Sequence, residues 1–280
     1  MVRIAALLTV YNRKSQTLTA LKSLFNQESF PGLEMDVFLV DDGCTDGTAG
    51  AIGRSFPSVK LLKGNGNLYW NGGMRVAFAE AMKESFDYFL WLNDDTNLYP
   101  EALIHLYKTS AELGEHAIVV GSTYDPAKGI PTYGGLRRLS RWHPLKYGLV
   151  PPGENPLPVD TMNGNCVLIP DKVAHAVGNL DAAFIQGIGD IDYGLRAHRL
   201  GFKVFLSPGY VGACARSKKK QAWEDPSLPL SERWEKITSV YCLPPKEWAV
   251  FARRYAGLLW PIYFVLPYIR CLLLSLKFDH

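Results

Sequence analysis

Three stretches of this 280-residue chain concentrate groups that could hold a charged ligand: Thr9-Val10-Tyr11-Asn12-Arg13, Asp41-Asp42-Gly43-Cys44-Thr45-Asp46-Gly47-Thr48 and Asn93-Asp94-Asp95-Thr96. Asp41 and Asp42 are adjacent carboxylates that repel each other unless a donor or cation offsets them. A ligand N–H or a metal would do so, and a solvated turn is the alternative. Asp46 and Thr48 are suited to capping a helix. Asp94 and Asp95 offer hard oxygen donors of the kind that hold Mg2+ or Mn2+ and, through it, a diphosphate. The competing reading is a capping turn ahead of Pro100. The Gly-rich residues 64–73 could let backbone approach phosphates. They are no dinucleotide fingerprint, because Tyr69 stands where the third Gly would fall, and no G-x-x-x-x-G-K-[ST] loop occurs.

These groups need a scaffold, and the apolar runs that precede them supply it. Residues 4–10, 36–40, 59–62, 88–92 and 117–120 are nearly continuous in apolar side chains, as strands covered on both faces are. Helical patterns fall between them, at 15–26, 48–56, 74–85 and 100–113. The alternation predicts an α/β fold with a mostly parallel sheet and right-handed crossovers. Ligands in such folds gather beyond the carboxyl ends of the strands, where all three stretches lie. Residues 124–158, rich in Gly, Pro, Arg and aromatics, read as an irregular excursion able to cover a site. A strand at 161–170, a short helix from Asp171, a loop at 178–189, a helix at 190–200 capped by Gly201 and a strand at 203–206 follow.

With 48% hydrophobic and 20% charged residues, the composition excludes disorder, collagen and simple coiled coil. The net charge of +3 is too small for the footprint with which nucleic-acid binders neutralise phosphates. That excess resides in residues 246–280, which hold five basic and two acidic side chains. Five scattered cysteines form no C-x-x-C pair and no disulfide framework, in keeping with a reducing compartment. The first apolar run lacks a small-x-small cleavage site and reads as a strand, not a signal peptide.

The ordered blocks 9–13, 40–48, 67–73, 92–96, Gly164-Asn165-Cys166-Val167-Leu168-Ile169 and Gly189-Asp190-Ile191-Asp192-Tyr193-Gly194-Leu195-Arg196 resemble those of family-2 glycosyltransferases. The resemblance covers about residues 3 to 215, and the Trp70-Asn71-Gly72-Gly73 step is most similar to rhamnosyltransferase-type members. It implies a Rossmann-like GT-A fold and an inverting transfer from a nucleoside-diphosphate sugar, dTDP- or UDP-linked, to a glycan or lipid-linked glycan in bacterial cell-surface polysaccharide synthesis. Thr9, Tyr11, Asn12 and the Asp41-Asp42 pair, with Asp42 preferred, would hold base and ribose. Gly72, Arg75 and Asp94 would serve the nucleotide, and Asp95 would bind a divalent cation, Mg2+ or Mn2+. Asp190 would be the catalytic base, accepting the proton of the attacking hydroxyl. Asn163, Asn165, Asp192 and Trp142 would line the sugar and acceptor sites, with Arg137, Arg138 and His143 near Trp142. An ion pair to Arg196 is the alternative for Asp192. Two positions depart from the family pattern: Gly189 replaces a Glu, and Cys214 falls near a metal-binding His, where a buried structural cysteine is the preferred reading.

On this reading residues 1–215 form the catalytic domain and 216–280 a helical tail. Residues 255–269 are 15 uncharged residues, short of the roughly 20 that span a bilayer, and Pro261 and Pro267 interrupt them. With Arg253, Arg254, Arg270 and Lys277 alongside, they suit an anchor at the cytoplasmic face of a membrane. The alternative is a helical hairpin on the core or on a second subunit, which would make a homodimer. A sugar nucleotidyltransferase and a non-catalytic carbohydrate-binding protein at the membrane are the rival functions.

Overall fold

The computed structural model describes residues 1–28, 32–216 and 223–274. The Lys218–220 run and Lys277 lie outside the described residues. Strand β1 (Val2–Val10) is buried from Ile4 onward and pairs in parallel with β2 (Leu33–Asp41), and β2 pairs with β3 (Lys60–Lys63). On its other side β1 pairs in parallel with β4 (Tyr88–Leu92). The apolar runs become central strands because helices cover both of their faces. Helices α1 (Lys14–Phe25) and α4 (Ala102–Glu112) cover one face, the former through Thr17, Ala20, Leu21 and Leu24 at helical spacing. Helix α3 (Tyr69–Ala81) covers the other through Met74, Ala77, Phe78 and Ala81. The short α2 (Thr48–Ser55) links β2 to β3.

The second half of the sheet mixes directions. After the two-residue β5 (Asn97–Leu98), β6 (Ala117–Asp125) extends well beyond the predicted 117–120. Residues 124–158 are not wholly irregular. They contain β7 (Ile130–Pro131), β8 (Gly135–Arg138), β9 (Tyr147–Leu149) and the start of β10 (Leu157–Val159), and β8 pairs with β9 and β11 (Thr161–Met162) in a separate small sheet. The Gly and Pro content of this stretch conceals strands too short to show a period. Strand β12 (Cys166–Pro170) runs antiparallel between β4 and β6, and β13 (Lys203–Ala213) runs parallel to β6. The order is β10-β13-β6-β12-β4-β1-β2-β3.

Because β12 opposes β4, with Cys166 across from Leu92, the turn at 163–165 arrives at the same sheet edge as Asn93-Asp94-Asp95. Helix α5 (Asp171–Val177) follows, and α6 (Gly189–Arg199) begins at that edge. Beneath it Phe78, Trp91 and Tyr193 pack ring against ring, with Trp91 and Tyr193 centroids 4.8 Å apart. This cluster ties α3, β4 and α6 together, and truncating one such buried aromatic typically costs about 3–5 kcal/mol.

The chain closes with α7 (Leu230–Thr238), α8 (Pro245–Tyr255) and α9 (Trp260–Leu273). They share an apolar cluster with Leu145, Phe184 and Leu195 of the preceding fold, so the tail packs as a hairpin on the core. Pro261 falls in the first turn of α9 and Pro267 inside it, and neither ends the helix. Among the described residues no helix is long and apolar enough to cross a membrane.

Candidate functional site

Asp94 and Asp95 stand at the mouth of β4, facing Arg13 at the end of β1. One guanidinium nitrogen, Nη1, donates to Asp94 Oδ1 at 3.1 Å and to Asp95 Oδ2 at 2.8 Å. Asp94 is buried, and its Oδ2 has no hydrogen-bond partner. Burial pushes the Asp94 carboxyl up to about 7, against the pull of Arg13 and with repulsion from Asp95. A buried carboxylate oxygen without a partner, beside a second and half-exposed carboxylate, is a hard donor set that fits a small divalent cation. Cys214 lies against it, its thiol donating to Asp95 Oδ1 at 3.6 Å. Burial and Asp95 push that thiol up to about 12, so beside the carboxylate it is a neutral donor.

A continuous path leads from this pair to Asp190. Asn93 Oδ1 accepts the indole N–H of Trp70 at 2.7 Å, and the Asn93 N–H donates to the Asn165 carbonyl at 3.0 Å. Trp70 packs directly on Gly164, where an added Cβ would meet its ring at 2.5 Å and the Asp190 Cβ at 3.3 Å. The Gly164 N–H then donates to Asp190 Oδ2 at 2.9 Å, while Ile191 N–H donates to Oδ1 at 2.8 Å. Asp190 is half-buried in the first turn of α6, its rotamer set by those two donors. Ile188, just ahead of it, has φ +68°, a conformation that a β-branched residue adopts only under constraint. Asn12 and Tyr69, at φ +50° and +55°, strain the backbone at two further loops of the same edge.

The remaining predicted residues divide. Asp42 is a correction: it is 3% exposed, and its carboxylate accepts the N–H groups of Gly66, Leu68 and Tyr69 at 2.8 to 3.0 Å. Its two oxygens hold the 64–69 loop and start α3, a role in the fold that the sequence reading did not assign to it. Because of that start, α3 begins at Tyr69 and not at 74, so Gly72 and Gly73 are helical and not loop residues. Gly73 is required for packing, since a Cβ there would lie 2.0 Å from Thr9 Oγ1. Thr9 is correspondingly buried, whereas Tyr11 is 56% exposed at the mouth of β1. Asp41 accepts Cys44 N–H at 2.8 Å, and Asn12 Oδ1 accepts Thr45 N–H at 2.7 Å. Arg75 Nε donates to the Leu180 carbonyl at 3.1 Å, which makes it a brace for the loop before α6.

Asp192 is the second correction. It is fully buried and accepts from Arg196 Nε at 2.8 Å, Arg254 Nη1 at 2.9 Å and the Tyr255 hydroxyl at 2.8 Å, so no acceptor reaches it. Trp142 is 89% exposed, and its carbonyl accepts the Tyr263 hydroxyl of α9, which joins it to the tail. Asn165 is buried, with Nδ2 3.7 Å from Cys214 Sγ, and Asn163 is half-buried at the turn. Arg13, Trp70 and Asn71 stand in the blocks named above, but the sequence assigns them no role of their own. Arg13 carried a signal, a lone cation at a strand mouth level with an acidic triplet. Asn71 carried none: its Nδ2 donates to the Asp181 and Phe184 carbonyls, and its buried Oδ1 fills the space a side chain at Gly189 would need.

Known proteins resemble this chain in fold and in sequence. A mannosyltransferase from Pyrobaculum calidifontis, solved with GDP-Man and Mn2+, matches with a TM-score of 0.62 at 13% identity, over 98% of this chain and 73% of that one. The likeness is one of fold. N-acetylglucosaminyl-diphospho-decaprenol L-rhamnosyltransferase from two strains of Mycobacterium tuberculosis is 24% identical over 193 residues. That match spans 60% of this chain and 62% of the length of those relatives. The profile of Glycosyl transferase family 2 matches residues 6–172, more than half of the chain, which therefore belongs to that family and has a GT-A fold.

Proposed function

We propose that this chain is a glycosyltransferase that moves a sugar, rhamnose in the first instance, from a dTDP- or UDP-linked donor to a hydroxyl of a glycan or lipid-linked glycan, with inversion. The observation that carries the reading is the path Asp94/Asp95–Asn93–Trp70–Gly164–Asp190, which sets an acidic pair and a lone carboxylate on one sheet edge. The rhamnosyltransferase relatives support the sugar, and the Mn2+ bound to the mannosyltransferase supports a divalent cation.

Asp95, with Asp94, would hold the cation, which when bound supplies positive charge to the departing diphosphate. Asp190 takes the proton of the acceptor hydroxyl as that oxygen attacks the anomeric carbon, and the bond from carbon to the phosphate oxygen breaks with its electron pair leaving on the nucleoside diphosphate. The backbone donors of Gly164 and Ile191 fix the carboxylate so that it meets the acceptor in one orientation. Tyr11, exposed at the mouth of β1, is the aromatic face available to the base.

The outward side of α9 would rest on a lipid surface, the cytoplasmic face of the membrane where a lipid-linked acceptor is held. Leu259, Ile262, Leu266, Ile269 and Leu273 are exposed at helical spacing, and the exposed Trp142 is joined to α9 through the Tyr263 hydroxyl.

Calorimetry with UDP, dTDP and GDP, each with and without Mn2+, followed by transfer assays with Asp190→Asn, tests the reading. A nucleoside diphosphate is expected to bind in a Mn2+-dependent manner, and Asp190→Asn is expected to keep that binding while losing at least about 100-fold in turnover. Normal turnover in Asp190→Asn would remove it as the base, and pyrophosphate release from sugar phosphate and nucleoside triphosphate would favour a nucleotidyltransferase.

A further inference from the structure

Arg13 occupies the position between Asp94 and Asp95 that a cation would take. Its Nη1 bridges the two carboxylates at 3.1 and 2.8 Å, while Asp94 Oδ2, buried and without a partner, shows that the guanidinium only partly satisfies them. Arg13 itself is half-exposed and starts α1, so its side chain can leave without disturbing the buried face of that helix. Positive charge on the guanidinium repels a divalent ion approaching the same oxygens. Once displaced, a guanidinium at this sheet edge has the geometry to take a phosphate in bidentate fashion.

We propose that Arg13 is an exchangeable counter-ion: it holds the acidic pair when cation and donor are absent, yields the pair to the divalent cation, and then binds the donor diphosphate. The inference rests on the cation reading above and deepens it. Arg13 penalises the cation alone and rewards cation and diphosphate together, so it makes the binding of the two interdependent, a coupling that must be reciprocal. The chain would resist loading its acidic pair before a donor arrives.

The test measures free Mn2+ by electron paramagnetic resonance in wild type, Arg13→Gln and Arg13→Lys, first alone and then with saturating UDP or dTDP, whichever wild type binds. Arg13→Gln should bind Mn2+ alone about tenfold more tightly than wild type, while the tightening caused by nucleotide shrinks by a similar factor. Arg13→Lys keeps the charge and should keep Mn2+ alone weak, and melting curves identify any variant that fails to fold. Equal or weaker Mn2+ binding by a folded Arg13→Gln overturns the exchange while leaving the cation reading standing. Wild type that binds no Mn2+ with either nucleotide overturns both.

Discussion

The guanidinium of Arg254, on α8, donates to the fully buried Asp192 carboxylate at 2.9 Å, two residues from Asp190 in the first turn of α6. Its other nitrogen donates to Asp181 at 2.7 Å, and Glu247, also on α8, accepts the Ile185 N–H at 2.9 Å. Helix α8 thus grips both the first turn of α6 and the loop that leads into it, although it lies wholly outside the family match at residues 6–172.

Arg254→Met should therefore lower both stability and turnover. Asp192 would retain Arg196 and Tyr255, so a loss of about 1–3 kcal/mol is expected, below the ~3–5 kcal/mol of a buried charge left without a partner. Nucleotide affinity should hold, because the residues proposed to meet the donor lie at the ends of β1, β2 and β4. Denaturant melts and steady-state kinetics measure the two effects, and unchanged kcat would sever α8 from catalysis.

Gly189→Ala tests the Asn71 packing. An added Cβ would stand 1.9 Å from Asn71 Oδ1, so the carboxamide must move and release the Asp181 and Phe184 carbonyls. Overpacking of this kind costs about 1–3 kcal/mol. Asn71→Ala should be destabilising alone, yet the double variant should cost less than the sum of the two, which a thermodynamic cycle reads directly. Strict additivity would mean the two positions do not compete for space.

Stability should fall with pH through the titration of Glu247. Burial raises this carboxyl above its ordinary value, outweighing the Ile185 N–H. A raised carboxyl binds its proton more tightly in the folded chain, so its contribution is lost as pH rises from the usual carboxylate range through the folded-state value. Glu247→Gln keeps an acceptor for Ile185 and removes the charge. Its melting temperature should match or exceed wild type at pH 7 and lose that advantage near pH 4, and a constant offset between the two proteins would contradict the assignment.

Ile262→Glu combined with Leu266→Glu should abolish sedimentation with anionic phospholipid vesicles. Both residues are exposed on α9, so stability should move by no more than about 0.5 kcal/mol. Undiminished vesicle binding would mean that another surface, or none, meets lipid.

Much of the scaffold was legible in the order of residues. Continuous apolar runs define β1, β2 and β4 because a strand buried on both faces tolerates little else, and the polar stretches at their ends mark one sheet edge. The apolar spacing of α1 and the Gly201 stop after α6, with φ +88°, were likewise local signals. The short strands β7 to β11 were not legible, since two to four residues cannot display a period.

The chemistry of single carboxylates was decided only in three dimensions. Asp42, Asp94, Asp190 and Asp192 look alike in a sequence, where each is an acid within two residues of a glycine or another acid. The fold surrounds Asp42 with three backbone N–H groups, gives Asp192 two arginines and a tyrosine, leaves Asp94 with an unmatched oxygen, and holds half-buried Asp190 by two backbone donors. Residue type sets which proton a group can carry, but the partners that spend or spare its lone pairs come from segments as distant as β1 and α8, and only chain folding brings them within reach.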